Sequence, residues 1–127
     1  MDYELPPNER AMGREYKGLI TEWKRIADVS HNICMGKYID PNDIVAGRYS
    51  SPEFLSTLCC LSENERNIKR IIEDQSVNSD GFYFVRVNQN AVWRYICVDD
   101  YIPIQGKVPA LACSHLDEET DLWVALV

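Results

Sequence analysis

Among the side chains in this chain that could serve as a nucleophile or base are Cys34, Cys59, Cys60, Cys97 and Cys113, His31 and His115, and the serines at 50 and 51 that precede Pro52. A serine or thiol becomes a useful nucleophile only beside a positioned base and a donor set for the developing oxyanion. Ser50 and Ser51 would need both from elsewhere in the fold. The adjacent Cys59 and Cys60 do not suit zinc, whose paired ligands are usually separated by two to four residues so that both sulfurs reach one ion. They read instead as small side chains on a packed helix. Five cysteines is an odd number, and the polar, acidic opening Met1-Asp2-Tyr3-Glu4 is neither a secretion signal nor a myristoylation site. Reduced thiols in a cytosolic compartment are the expectation.

Around these residues the pattern is that of one domain. A length of 127 residues supports a single modest core, and 46% hydrophobic with 26% charged residues is ordinary for a globular chain. The net charge of −7 argues against a phosphate-binding face for nucleic acid. No apolar run approaches the ~20 residues of a membrane span.

Residues 1–22 read as an N-terminal extension, and Asn32 to Gly47 as a loop with short turns set by Gly36, Pro41 and Asn42. Ser51 is a suitable N-cap, Pro52 suits the first helical position, and Glu53 favours the positive end of the dipole. Phe54, Leu58 and Leu61 then give that helix one apolar face. Ser62-Glu63-Asn64-Glu65 has the form of a capping box and predicts a second helix to about Glu73. Residues 81–87 and 92–98 predict an antiparallel pair of strands, with Asn88-Gln89-Asn90 as the turn. A short strand is expected around Ala110 to Cys113, and a closing helix from near Asp117 to Glu119.

Four stretches carry a resemblance. Ala46 to Leu61 aligns without a gap to Q-G-x-L-G-D-C-W-L-L-A-A-I-A-S-L, the segment that holds the nucleophile in calpain-type cysteine proteases. Trp23-Lys24-Arg25 matches the W-K-R that introduces the calpain protease core. Gly81, Phe82, Phe84, Trp93, Ile96 and Val98-Asp99-Asp100-Tyr101-Ile102-Pro103 match its aromatic hairpin and V-D-D-x-x-P turn, and His115 and Trp123 match its H-S-x-E-x-x-E-F-W. The chain thus resembles the first subdomain of a calpain protease core over residues 23–127. The implied fold is α+β, a central helix pair packed on a small three-stranded antiparallel sheet. Because the chain stops in the apolar run Leu122 to Val127, it is expected to be a fragment of a longer protein.

The resemblance also places substitutions. Ala46 stands at the oxyanion-hole glutamine, Pro52 at the nucleophilic cysteine and Glu53 at the following tryptophan. Proline has no atom that can form an acyl-enzyme, and Ala46 offers no side-chain donor to serve a substitute serine. In the family the catalytic histidine and asparagine come from a second subdomain, and His115 matches a different histidine. Calcium is the one cofactor implied, with Asp43 at a ligand aspartate and Asp121 at a ligand glutamate, although residues 36–40 depart from the family loop. A catalytically inactive interaction or structural module follows, with a face of Arg48, Tyr49, Glu53 and Phe54. The other reading is a regulatory half that pairs with a second calpain subdomain and responds to calcium. Similarity to protozoan calpain-like proteins with altered triads implies cytoplasm, cytoskeleton or flagellum.

Overall fold

A computed structural model of the chain describes residue 16, residues 18–116 and residues 119–127. Most of the proposed extension 1–22 lies outside them. The core is engaged from Thr21, whose N–H and hydroxyl both donate to the Ile104 carbonyl.

The fold is α+β, with small antiparallel sheets and one short parallel pair. Its three-stranded sheet has the order β1-β5-β6: β1 (Glu22–Arg25), β5 (Tyr101–Gln105) and β6 (Val108–Pro109). Trp23-Lys24-Arg25 is therefore a strand paired antiparallel with Tyr101 to Pro103, and not simply an anchored loop. The aromatic hairpin β3 (Phe82–Gln89) and β4 (Val92–Asp99) is a separate two-stranded sheet. Its turn falls one residue later than expected, at Asn90 and Ala91, with φ of 53° and 62°. Two left-handed residues in succession suit the twist of a tight hairpin, and asparagine tolerates that region.

Two helices lie at the centre. Helix α2 (Pro52–Ser62) follows α1 (Ile26–Val29), and α3 (Glu65–Ile71) comes next. Ser51 caps α2 as expected, its hydroxyl accepting from the Phe54 N–H at 3.3 Å. The expected box at Ser62 is absent: Ser62 closes α2, its hydroxyl bonded to the Cys59 carbonyl, and Asn64 caps α3 instead. A buried serine already satisfied within its own helix is not free to start another. The apolar face of α2 also needs correction. Leu58 is buried and Leu61 half-buried, but Phe54 is 48% exposed.

The C-terminal segment departs furthest from expectation. Cys113 forms an isolated bridge with Val45, and the strand lies earlier, at β6. Thr120–Asp121 is a strand, β7, parallel to β2 (Ile33–Cys34), and the helix α4 (Trp123–Leu126) begins only after it. The Thr120 hydroxyl explains this. It is fully buried, donates to the His115 carbonyl at 3.0 Å and accepts from the Ser30 hydroxyl at 2.7 Å, holding the backbone extended. Ile26, Leu58, Ile68, Tyr83, Leu122 and Trp123 form the heart of the core, drawing together every layer.

One clamp joins two of the sequence motifs. Arg25 makes a two-pronged contact with Asp100, Nε to Oδ1 and Nη2 to Oδ2, each at 2.8 Å. Asp100 is almost wholly buried. Its N–H reaches the Gly81 carbonyl, and its carbonyl accepts from the Ile26 N–H. Gly81 has φ of 71°, and a Cβ there would sit 2.1 Å from the Arg25 guanidinium, so only glycine fits. The Asp-Asp pair is thus divided in role. Asp100 ties β1 to the end of the hairpin, whereas the carboxylate of Asp99 accepts from the Tyr101 N–H.

Candidate functional site

Residues 45–54 run as an extended arm and tight turn into the start of α2. The arm is held against residues 110–113 by backbone bonds between Val45 and Cys113 and from the Tyr49 N–H to the Ala110 carbonyl. Gly47 lies so close that a Cβ would be 2.2 Å from the Leu111 carbonyl oxygen. The Ser50 hydroxyl accepts from the Gly47 N–H at 3.0 Å and closes the turn. Ser50 is therefore part of the scaffold, where the sequence left it a candidate nucleophile.

Beside this arm is an apolar pocket of about 340 Å³ lined by Val45, Ala46, Val108, Leu111 and Cys113, with Arg48 also in its wall. The pocket brings a thiol within the same wall as Ala46, a placement with no sequence signal, since Cys113 is 67 residues further along the chain. Burial raises the Cys113 pKa to about 11, and its sulfur donates to the Ser114 carbonyl. At neutral pH it is a protonated, unreactive thiol.

The start of α2 is open to solvent. Ser51, Pro52, Glu53 and Phe54 are all exposed. The backbone N–H of Glu53 itself, and then the Ser51 hydroxyl, which donates to Glu53 Oε2 at 2.9 Å, lower the Glu53 pKa. A carboxylate is thus held charged one residue from position 52. His31 and His115 are both exposed, and the only His115 atom in a described hydrogen bond is its backbone carbonyl. Arg48 and Tyr49 grip one side chain from two sides: Arg48 Nη1 donates to Gln105 Oε1 at 3.3 Å, and Gln105 Nε2 donates to the Tyr49 hydroxyl at 2.8 Å. Tyr49 also packs its ring 5.3 Å from that of Tyr16. Arg48 is exposed and Tyr49 half-buried, so Arg48 is the more available for contact.

Comparison with known proteins bears on the same stretch. A family model described as calpain family cysteine protease matches residues 1–127. The chain belongs to the calpain family. Its relatives include the calpain-type cysteine protease ADL1 of Oryza sativa subsp. japonica, 28% identical over 141 aligned residues. The calpain-type cysteine protease DEK1 of Arabidopsis thaliana is 30% identical and calpain-7 of Sus scrofa 26%. These alignments take in 99%, 99% and 98% of this chain but 6%, 6% and 17% of the relatives. The calpain-family chain described here thus spans a small part of the proteins it resembles.

Asp43 and Asp121, the two carboxylates that the resemblance sets at calcium positions, each accept a hydrogen bond within the protein. Asp43 Oδ2 accepts from the Asp40 N–H at 3.0 Å, closing a capping box on the 3-10 turn Pro41–Asp43. Asp121 Oδ1 accepts from Cys34 Sγ at 3.0 Å. Burial raises the Asp121 pKa, and the charge of Asp43 adds to the rise, so the two carboxylates lie within electrostatic reach. Among the described residues no group of three His, Cys, Asp or Glu side chains is placed to hold a metal. With one oxygen of each engaged, these two carboxylates alone supply few of the six to eight oxygens that calcium takes.

Proposed function

We propose that this calpain-family domain lacks peptidase chemistry and serves as a protein-interaction or structural module. The observation that carries the proposal is Pro52 at the exposed first position of α2, where the resemblance puts the nucleophile. The scaffold around that position is kept: the Ser51 cap, the Gly47 turn and the backbone contacts to residues 110–113. A folded surface without its reagent is suited to contact, and Arg48 and Tyr49 are of the types enriched at interface hot spots. The net charge of −7 gives no support to a nucleic-acid partner, and no helix among the described residues is long and apolar enough to cross a membrane. The cytoplasm, at the cytoskeleton or flagellum, is the setting we propose.

The exposure of Phe54 and the first turn of α2 favours a second reading, in which this face packs on a second calpain subdomain as the regulatory half of a protease core. Capture of partners by the intact protein and by its Arg48→Ala/Phe54→Ala variant tests the contact face. Tyr49 is left in place because it is half-buried and its ring packs on that of Tyr16. Loss of capture by a folded variant is expected, and unchanged capture would move the interface elsewhere.

Calcium responsiveness is expected to be weak. Isothermal titration should give no heat, or a dissociation constant of roughly 10⁻⁴ M or above. Micromolar binding that survives Asp43→Asn would show that the ion sits on other ligands.

A further inference from the structure

Among the described residues, the hairpin leaves an aromatic face and the edge of β4 at Trp93, Tyr95 and Cys97 uncovered, away from the cleft face of Arg48, Tyr49, Glu53 and Phe54. Phe84 sets the geometry. Its carbonyl accepts from the Glu73 N–H at 3.1 Å and its N–H donates to Asp74 Oδ2 at 2.8 Å, so its backbone points away from β4. Cys97 lies directly opposite Phe84, and in an antiparallel ladder the backbone of such a residue points away from β3. With a period of two, Tyr95 and Trp93 do the same. β3 is the only strand paired with β4 among the described residues, so these outward N–H and C=O groups form a free edge.

The side chains of the same residues build the face. Trp93 and Tyr95 are 56% and 58% exposed, and Phe84 stands beside them on that side of the hairpin. Arg86 lies over both of the first two rings, 5.1 Å and 5.6 Å from their centroids. Its Nε is buried without a hydrogen-bond partner, and no carboxylate among the described residues pairs with it. Arg94 is exposed on the opposite face. Between Tyr83 and Val98 the sequence holds two cations, Arg86 and Arg94, and no anion, in a chain whose net charge is −7.

We propose that β4 takes an extended acidic segment of a partner protein as an added strand. Main-chain bonds to the Trp93, Tyr95 and Cys97 edge supply the pairing, as in other cases of strand addition. Alternation supplies the selectivity: apolar residues of the incoming strand extend the Trp93 and Tyr95 stripe, and acidic residues on its other face meet Arg94. A second copy of this chain is disfavoured, because pairing β4 with itself sets arginine-bearing hairpins side by side. The hairpin shares no residue with the cleft, so this inference and the cleft reading fail separately.

The test uses the intact protein and a fluorescent nine-residue peptide of alternating Glu and Val. That peptide should bind at least tenfold more tightly than its Lys-Val counterpart, and N-methylation of its central amides should abolish binding. Arg94→Glu, at an exposed position, should weaken binding at least tenfold while the thermal midpoint holds. Saturating peptide should slow alkylation of Cys97, read by mass spectrometry, without slowing that of the exposed Cys60. Equal binding by the N-methylated peptide or by Arg94→Glu would overturn the proposal. So would absence of binding, or a dimer that protects Cys97 without any peptide.

Discussion

Asp100→Ala is expected to lower the stability of the domain by about 3 kcal/mol, toward the lower end for breaking a buried ion pair. The side chain of Asp100 is 4% exposed and that of Arg25 29%, so the guanidinium left behind keeps partial access to water. For a domain of this size the loss corresponds to roughly 10 °C in Tm. Equilibrium denaturation gives the value directly. The paired replacement Arg25→Met/Asp100→Leu removes both charges and should recover much of the loss. A change below about 1 kcal/mol for Asp100→Ala would place the clamp among ordinary surface pairs.

This clamp shows how much the sequence discloses. Trp23-Lys24-Arg25 and Val98-Asp99-Asp100 were legible as separate family motifs 75 positions apart, but nothing in either names the other as its partner. Contacts of that range arise only when β1 and β5 are laid together. The helix at Pro52 was legible because its signals are local: a cap, a proline at the first turn and an acidic residue beside it. The misplaced start of α3 had a local signal too, but two caps competed, and the buried bond of Ser62 to the Cys59 carbonyl decided between them. At the C-terminus the acidic cluster suggested a helix start. A distant hydroxyl pair, Thr120 with Ser30, overrode that suggestion. Within the candidate site the helix start at Ser51 and Pro52 could be foreseen, whereas the exposure of Phe54 could not, and the pocket shared by Ala46 and Cys113 depends on a backbone bridge between remote segments.

No peptidase activity is the second outcome with a large expected effect. A fluorogenic peptide, with or without millimolar calcium, should show no turnover above buffer in the presence of this domain. Pro52→Cys, alone or with Ala46→Gln, should supply a thiol and still no turnover. The ionised Glu53 beside it opposes formation of a thiolate, although the helix start favours one. The only histidines of the chain, His31 and His115, are exposed, and the resemblance assigns neither as the base. Turnover that disappears in Ser51→Ala would instead establish a serine nucleophile and refute the proposal.

Pro52 bears on the history of the domain as well as on its present chemistry. At the first position of a helix a proline forfeits no hydrogen bond, because that N–H has no acceptor within the helix. Its ring also restricts the unfolded chain, a gain of about 0.4–1 kcal/mol where the native backbone already suits it. A cysteine at position 52 would surrender that gain at once, while the proposed lack of chemistry would leave further positions to change, beginning with Ala46. A lineage passing through such intermediates would be less stable before it was any more active. For the inactive module we propose, the proline would therefore act as a ratchet, stabilising the fold at the position where the resemblance puts the nucleophile.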